Sequence, residues 1–482
     1  MSHSTKISSD ILVTTVFKVS LKVRGLLFIP LLTIFLGVSE YGAFVQVQVI
    51  TSFVALVCLL GLNDGYIRYI YETERPGGLF TSLSLLVTTT GIIGASSVVA
   101  LANILSKYTL QSTAYTTLFV LGGGYVLVHA LFMLSRSYYR ANRRIKIYSL
   151  FEVIDVYLSV IVVLLLVLIV DGDIVEVFAA LLAVHTIVVI GIYAGVARDG
   201  GLARPTTEQL RPCLRFSVNS MGNIVSGSLL HKIDRVLIGF FLGASAVGIY
   251  SAAYSVGQLM KLYYQPINTS FFPEFSKLWM EEEFENIREY TRSGIRYSAM
   301  VGIPTIAGFA LIGRDVLNLL STANVAVEGF LPLLLIAAAM YCRGVGSFYS
   351  GLFFASGNSR IPFVLQFSAV VVNLLLNLML IPLLDIVGAA LATFVSFTGA
   401  AIALAALFQM RLSVLPDWSQ IGRIVIASGC LFAIFWIVPI SIPWYITAVT
   451  APIVYFGMLF TLNGIEQREV HYFLKTARSI VQ

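Results

Sequence analysis

Charged residues are scarce in this chain. They make up 12% of 482 residues against 58% hydrophobic, at a mean hydropathy of +0.88. Soluble domains hold about 45–50% apolar and about 25% charged residues, so a soluble fold is excluded and runs of about 20 apolar residues read as membrane spans. Long polar stretches are also missing. None exceeds about 25 residues, too short for a folded domain outside the membrane, so function must reside in the spans and their rims. The four cysteines, Cys58, Cys213, Cys342 and Cys430, stand singly, which rules out a disulfide framework or a thiolate metal site. No Walker A loop, metal-spaced His/Cys cluster or nucleophile elbow occurs, so neither ATP hydrolysis nor a catalytic or metal centre is expected. No small-residue cleavage site follows the first apolar stretch, and no removable signal peptide is expected.

What the chain does have is a succession of apolar runs. A window of about 19 residues reads fourteen candidate helices, from one near 11–38 to one near 443–462. Basic residues test the reading independently, because they are retained in cytoplasmic loops. With both termini cytoplasmic, nearly all of the 31 Lys and Arg fall at cytoplasmic segments or helix ends; Lys107 and Arg314 lie outside, and Lys232, Arg235, Lys261 and Arg343 lie deep within spans. The net charge of +6 therefore reflects topology, and no nucleic-acid partner is expected.

A repeat divides the chain. FLGVSEYGAF (35–44) returns as FLGASAVGIY (241–250), 206 residues on, each copy joining one span to the next. NRRI (142–145) returns as NSRI (358–361). Six spans separate the copies of each pair, an even number, which gives them one orientation in the bilayer. The expected fold is an all-α polytopic membrane protein with two parallel six-helix lobes, 1–200 and 201–411, and two further helices with a cytoplasmic tail in 412–482.

Three segments, IPLLTIFLGVSEYGAF, KIDRVLIGFFLGASAVGIYSAAYSV and ASGNSRIPFVLQFSAVVVNLLLNLMLIPLLDIVGAALATFVSF, resemble the polysaccharide or O-antigen (Wzx-type) flippases of the multidrug/oligosaccharidyl-lipid/polysaccharide exporter superfamily. The resemblance covers nearly the whole chain and rests on the order and spacing of the segments rather than on one motif. It implies a V-shaped pair of lobes in the cell membrane, carrying a lipid-linked oligosaccharide from the cytoplasmic to the outer leaflet by alternating access. The carrier would be undecaprenyl or dolichyl diphosphate or phosphate. The other partners would be membrane lipids and glycan-assembly machinery, the protein acting as a monomer with no cofactor beyond a coupling H+ or Na+.

Polar residues at helical spacing nominate the binding groups. Tyr250, Tyr254, Gln258, Lys261, Gln265 and Asn268 step by three and four along one expected face, while Asn219, Asn223 and Asp234 share a face of the preceding helix. Asn373 and Arg343 fall within later spans. An Arg or Lys at mid-membrane costs at least about 2.5 kcal/mol on insertion scales, which favours a functional role for Lys261 and Arg343. Lys232 and Arg235 are expected either to attract a diphosphate or to brace a tight turn together with Asp234. Arg24 is similar in placement to cavity arginines of peptidoglycan-precursor flippases, with snorkelling to the rim as the other reading; Arg68 marks the inner mouth or a simple positive-inside anchor. Asp234, Asp155 and Asp64 are the coupling-ion candidates; Glu152 and Asp155 are expected to reach the nearby basic cluster, and His129 to be a packed neutral histidine. The segment 274–296 is expected to form one amphipathic surface helix with Trp279 as its anchor.

Two other functions fit less well. A multidrug antiporter of the same superfamily would want acidic and aromatic groups for organic cations, whereas the deep charges here are mostly basic. A membrane polysaccharide polymerase or ligase would need catalytic groups on a sizeable outer loop, and the longest, about 314–328, has one Arg and no His.

Overall fold

A computed structural model describes residues 25–413, 416–437 and 443–464; the side chains at 145, 219, 220, 223, 224, 226 and 229–231 lie outside that description. Among the described residues every regular element is helical. α1 (25–33) is followed by α2 (Val38–Cys58), α3 (Leu62–Tyr69), α4 (Pro76–Ala100), α5 (Ala102–Leu110), α6 (Thr116–Ala141), α7 (Ile145–Ile169) and α8 (Ile174–Arg198). Then come α9 (Leu210–Leu242), α10 (Ala244–Gly257), a 3-10 turn (Gln258–Met260), α11 (Lys261–Met280), α12 (Phe284–Leu320), α13 (Ala323–Glu328), α14 (Phe330–Ala355), α15 (Arg360–Leu412), α16 (Trp418–Ile437) and α17 (Trp444–Thr461). Ten helices among the described residues are long and apolar enough to cross a membrane.

The helix boundaries follow local chemistry. Asp173 caps α8 by accepting from the Glu176 amide at 2.9 Å while the Glu176 carboxylate accepts from the Asp173 amide at 3.1 Å, a reciprocal capping box. The range α15 holds two helices, matching the expected spans 361–384 and 387–410, which meet without a loop at Asp385, where φ 52° and ψ −139° break the helical backbone three residues after Pro382; Asn373 and Thr393, twenty residues apart, come within 3.4 Å across that break. The segment 274–296 is not one amphipathic helix. α11 stops at Met280 because Glu282 turns left-handed (φ 57°) and the Glu283 amide reaches back to the Leu278 carbonyl, and α12 starts afresh at Phe284. Trp279 packs edge-on against Phe284 at 5.5 Å.

Packing groups the chain into two compact units. The first holds everything up to Ala252 with Leu320–Thr322 and Asn377–Ile386; the second holds Ala253–Leu319, Ala323–Leu376 and the chain from Val387. In the first, α6 is the central helix, packed by α2, α4, α7 and α8. In the second, Phe275, Ile287, Phe348, Phe353 and Phe408 form one core of α11, α12, α14 and α15, and α16 and α17 cover α12 around Met300, Leu431 and Tyr455. The Tyr455 hydroxyl donates to the Met300 carbonyl at 2.9 Å.

The repeat is written into the backbone of the first unit. Gly37 and Gly243 occupy matching places before α2 and α10, with φ of 111° and 83°, a region glycine enters without steric cost. Five residues further, Gly42 of α2 abuts the Ala244 carbonyl and Gly248 of α10 abuts the Val38 carbonyl, and a methyl group at either place would overlap those atoms. Small residues that let backbones approach closely are a main source of helix association in lipid. Gly42→Ala should therefore cost about 1–3 kcal/mol through overpacking, read as a lowered thermal unfolding midpoint of the purified protein. Gly399→Ala, where nothing stands within 4 Å, is the control; equal midpoints for the two variants would show that α2 and α10 separate freely.

Candidate functional site

The charged segment of α9 is anchored by polar atoms from neighbouring helices. Asp234 is 1% exposed, and its two carboxylate oxygens accept from the Tyr250 hydroxyl of α10 and the Asn377 amide of α15, each at 2.9 Å. Arg235, one residue on and so about 100° round the helix, donates through Nε to Ser251 Oγ at 3.2 Å. Lys232 turns to α2 and donates through Nζ to Ser52 Oγ at 2.7 Å. The three ionisable groups of KIDR thus leave the helix in separate directions, toward Tyr250 and Asn377, Ser251, and Ser52. Asn219 and Asn223, expected on the same face as Asp234, have side chains outside the described residues, as does the whole of Arg24.

A second polar cluster lies in the same unit. The His185 Nδ1 of α8 is 2.9 Å from Asp155 Oδ1 of α7, and His185 is 3.3 Å from His129 Nδ1 of α6 through its other ring nitrogen. Glu152, one turn before Asp155, pairs with Arg136 at 3.1 Å, so the basic partner comes from within α6. Asp155 and His185 are buried and His129 is half-buried. All three, with Glu152, Gln48 and Tyr125, line a cavity of about 150 Å³. Asp64 accepts from the Asn63 amide at 2.9 Å, and Arg68 is an exposed residue paired with Glu72 at 2.5 Å. Among the described residues no three His, Cys, Asp or Glu side chains gather closely enough to hold a metal.

In the second unit Arg343 sits in the middle of α14, about 18 Å of helix from its C-terminal end. Its guanidinium lies 4.9 Å from the centre of the Phe397 ring, with the Tyr264 phenol beside it. Both partners are neutral. Asn373 is fully buried and donates to Thr393 Oγ1 at 3.4 Å. The expected stripe of Tyr254, Gln258, Lys261 and Gln265 is not one straight face. The 3-10 turn at Gln258–Met260 overwinds the helix there, leaving Tyr254 buried, Gln258 and Lys261 half-buried and Gln265 exposed. Periodicity on a constant 3.6-residue turn had no means of showing that, nor that Tyr264, Phe397, His185 and Ser52 are the partners of the ionisable groups.

These features define a class first: a multi-pass helical membrane protein whose polar groups are gathered into clusters within its spans. Residues 7–279 match the family model described as polysaccharide biosynthesis protein, and the chain belongs to that family. Over 428 residues it is 24% identical to the probable flippase AglR of Haloferax volcanii, covering 86% of this chain and 87% of that protein. It is 26% identical over 235 residues to that organism's probable low-salt glycan biosynthesis flippase Agl15, 48% of this chain and 50% of the other. Among solved structures, lipid II flippase MurJ in an inward closed conformation superposes with a TM-score of 0.78 at 13% identity, over 94% of this chain and 99% of that one. An inward-facing multidrug resistance MATE family transporter of the MOP superfamily gives 0.66 at 15% identity, over 82% and 94%. At these identities the two structures establish the fold.

The Asp234 cluster makes a stability prediction. A buried carboxylate that loses one donor keeps its desolvation penalty, so Tyr250→Phe and Asn377→Leu should each destabilise by about 1–3 kcal/mol. A double-mutant cycle between Tyr250→Phe and Asp234→Asn, measured by thermal unfolding, should give a coupling of about 0.5–3 kcal/mol; strict additivity would mean that the hydrogen bond carries no weight.

Proposed function

We propose that this protein is a flippase that moves a lipid-linked oligosaccharide, carried on a polyprenyl diphosphate or phosphate, from the cytoplasmic to the outer leaflet for surface polysaccharide or glycoprotein glycan assembly. The observation that carries the reading is Arg343. A guanidinium at mid-membrane needs a counter-charge or strong hydrogen-bond acceptors, and the partners of Arg343 among the described residues are a phenol and a ring face. A diphosphate supplies the missing anion in the bidentate geometry that a guanidinium fits. The first unit repeats the arrangement with Lys232, whose described partner is the Ser52 hydroxyl. Membership of the polysaccharide biosynthesis family and similarity to the probable flippase AglR along 86% of the chain support a flippase acting in polysaccharide assembly.

In this reading Lys261 and Arg235 add positive charge for the head group. Asn219, Asn223, Tyr254, Gln258, Gln265 and Asn373 offer amide and phenol groups to sugar hydroxyls, and Arg24 and Arg68 meet the diphosphate at the cytoplasmic rim. Transport by alternating access draws on no nucleotide. Asp234 serves as a coupling carboxylate, and both termini face the cytoplasm.

The test is reconstitution in liposomes with a fluorescent polyprenyl-diphosphate oligosaccharide, following its passage between leaflets. Arg343→Ala should slow movement about tenfold or more, the equivalent of one lost charge-assisted hydrogen bond of about 1.5–3 kcal/mol. Arg343→Lys should recover part of the rate, because charge is kept and the fork is lost. Lys261→Ala should weaken transport in the same sense. Wild-type rates in both alanine variants, with folding intact, would make these cations structural and return the antiporter reading.

A further inference from the structure

A short helix covers the end of the first unit where α9 gives way to α10, and the substrate reading makes no use of it. The span expected over 79–105 stops at Ala100, the chain turns at Leu101 (φ −94°, ψ 3°), and α5 then runs for nine residues to a left-handed Gln111 (φ 55°). A helix of that length has little stability of its own. α5 buries Ala102, Ser106 and Leu110 and leaves Ile104, Lys107 and Tyr108 exposed.

What fastens α5 is polar. Gln46 of α2 donates through Nε2 to the Thr109 carbonyl at 3.2 Å, and Gln111 donates through Nε2 to the Phe240 carbonyl of α9 at 3.0 Å. Gly239 of α9 lets the backbones meet, since a methyl group there would stand 2.2 Å from the Thr109 carbonyl oxygen and 2.5 Å from Gln46 Nε2. Water can replace each of these hydrogen bonds when the contact parts, which it cannot do for an apolar core. Gln46 is 0% exposed, and its Oε1 meets no donor among the described residues. A buried acceptor in that state destabilises the covered arrangement and is satisfied once solvent reaches it.

The position of the fastening gives it a use. Lys232 precedes Gly239 by seven residues, two turns and about 10 Å of helix, so both lie on one face of α9. Both meet α2, Lys232 through Ser52 at 2.7 Å and Gly239 through Gln46. One seam between α2 and α9 therefore runs from Lys232 to the underside of α5.

We propose that α5 is a lid on this seam, latched by Gln46, that lies over the approach to Lys232 and lifts in each transport cycle. The lid rests on the flippase reading for its cargo and not for its motion. With both termini cytoplasmic it sits on the outer face, where it holds the anionic head group at Lys232 until release.

The motion is measured on the full-length protein in nanodiscs, with the four native cysteines replaced by alanine and spin labels at Ile104→Cys and Ser245→Cys, both exposed positions. Two label distances are expected, lid down and lid up. Gln46→Glu sets a carboxylate oxygen against the Thr109 carbonyl and should raise the longer-distance population about tenfold or more. Gly239→Ala, whose methyl the seated lid has no room for, should make the longer distance dominant, while Gly399→Ala, with nothing within 4 Å, should leave the wild-type pattern. A single distance shared by the wild type and whichever of the two lid variants gel filtration shows to be folded would make α5 fixed packing and overturn the lid. The second measurement uses the flippase reading: in liposomes, a short bis-methanethiosulfonate bridge between the same two cysteines should slow the fluorescent polyprenyl-diphosphate oligosaccharide about tenfold or more, with recovery in reductant. Unchanged movement with the bridge in place overturns the role of the lid in transport. A probe that never moves, bridged or not, counts against the flippase reading, and the label distances alone then decide the lid.

Discussion

Hydrocarbon leaves no ionisable or polar group unattended, and this constraint organises the interior of the protein. Several of the deep charges in the described chain meet a named atom from another helix. Asp234 of α9 ties α10 to α15, Lys232 ties α9 to α2, and Asp155 of α7 ties α8 to α6 through two histidines. Such bonds have strict geometry where apolar contacts have little, so they fix rotation and register of helices that hydrophobicity alone leaves free to slide. The same constraint marks Arg343, which is met by groups of no opposite charge.

The polar clusters differ in chemistry. Lys232 meets the neutral Ser52 hydroxyl and Arg343 lies against the Phe397 ring, whereas Asp155 and His185 are an acid and a base in contact at 2.9 Å. A cation held by neutral groups meets an incoming anion without first having to break an ion pair, which is the property the proposed substrate calls for.

Much of the architecture was legible in the chain. Apolar runs gave the helices, because a span must be apolar over its whole length, and the doubled motif FLGVSEYGAF and FLGASAVGIY pointed to equivalent junctions that the backbone bears out at Gly37 and Gly243. Partners across helices were not legible. His185 lies in an apolar run 30 residues from Asp155, and nothing in one sequence indicates that α7 and α8 bring them together. The polar stripe through Gln258 failed for another reason: a 3-10 turn alters helical phase while leaving residue spacing unchanged. The helix expected over 274–296 failed because one left-handed residue, Glu282, outweighs an amphipathic pattern that continues across it.

The contact between α2 and α10 carries a further meaning. Gly42 meets the start of the helix that holds Gly248, and Gly248 meets the start of the helix that holds Gly42. Equivalent patches touching each other reciprocally are the mark of an isologous interface, the kind that joins two identical subunits about a two-fold axis. Here both patches belong to one chain, so the partner is always present at a fixed, high local concentration and the contact cannot be diluted away. Within one chain the copies also need not be identical: the second motif has Ala246 where the first has Glu40, and KIDR stands five residues before the second copy with no counterpart before the first, differences that two identical subunits could not show.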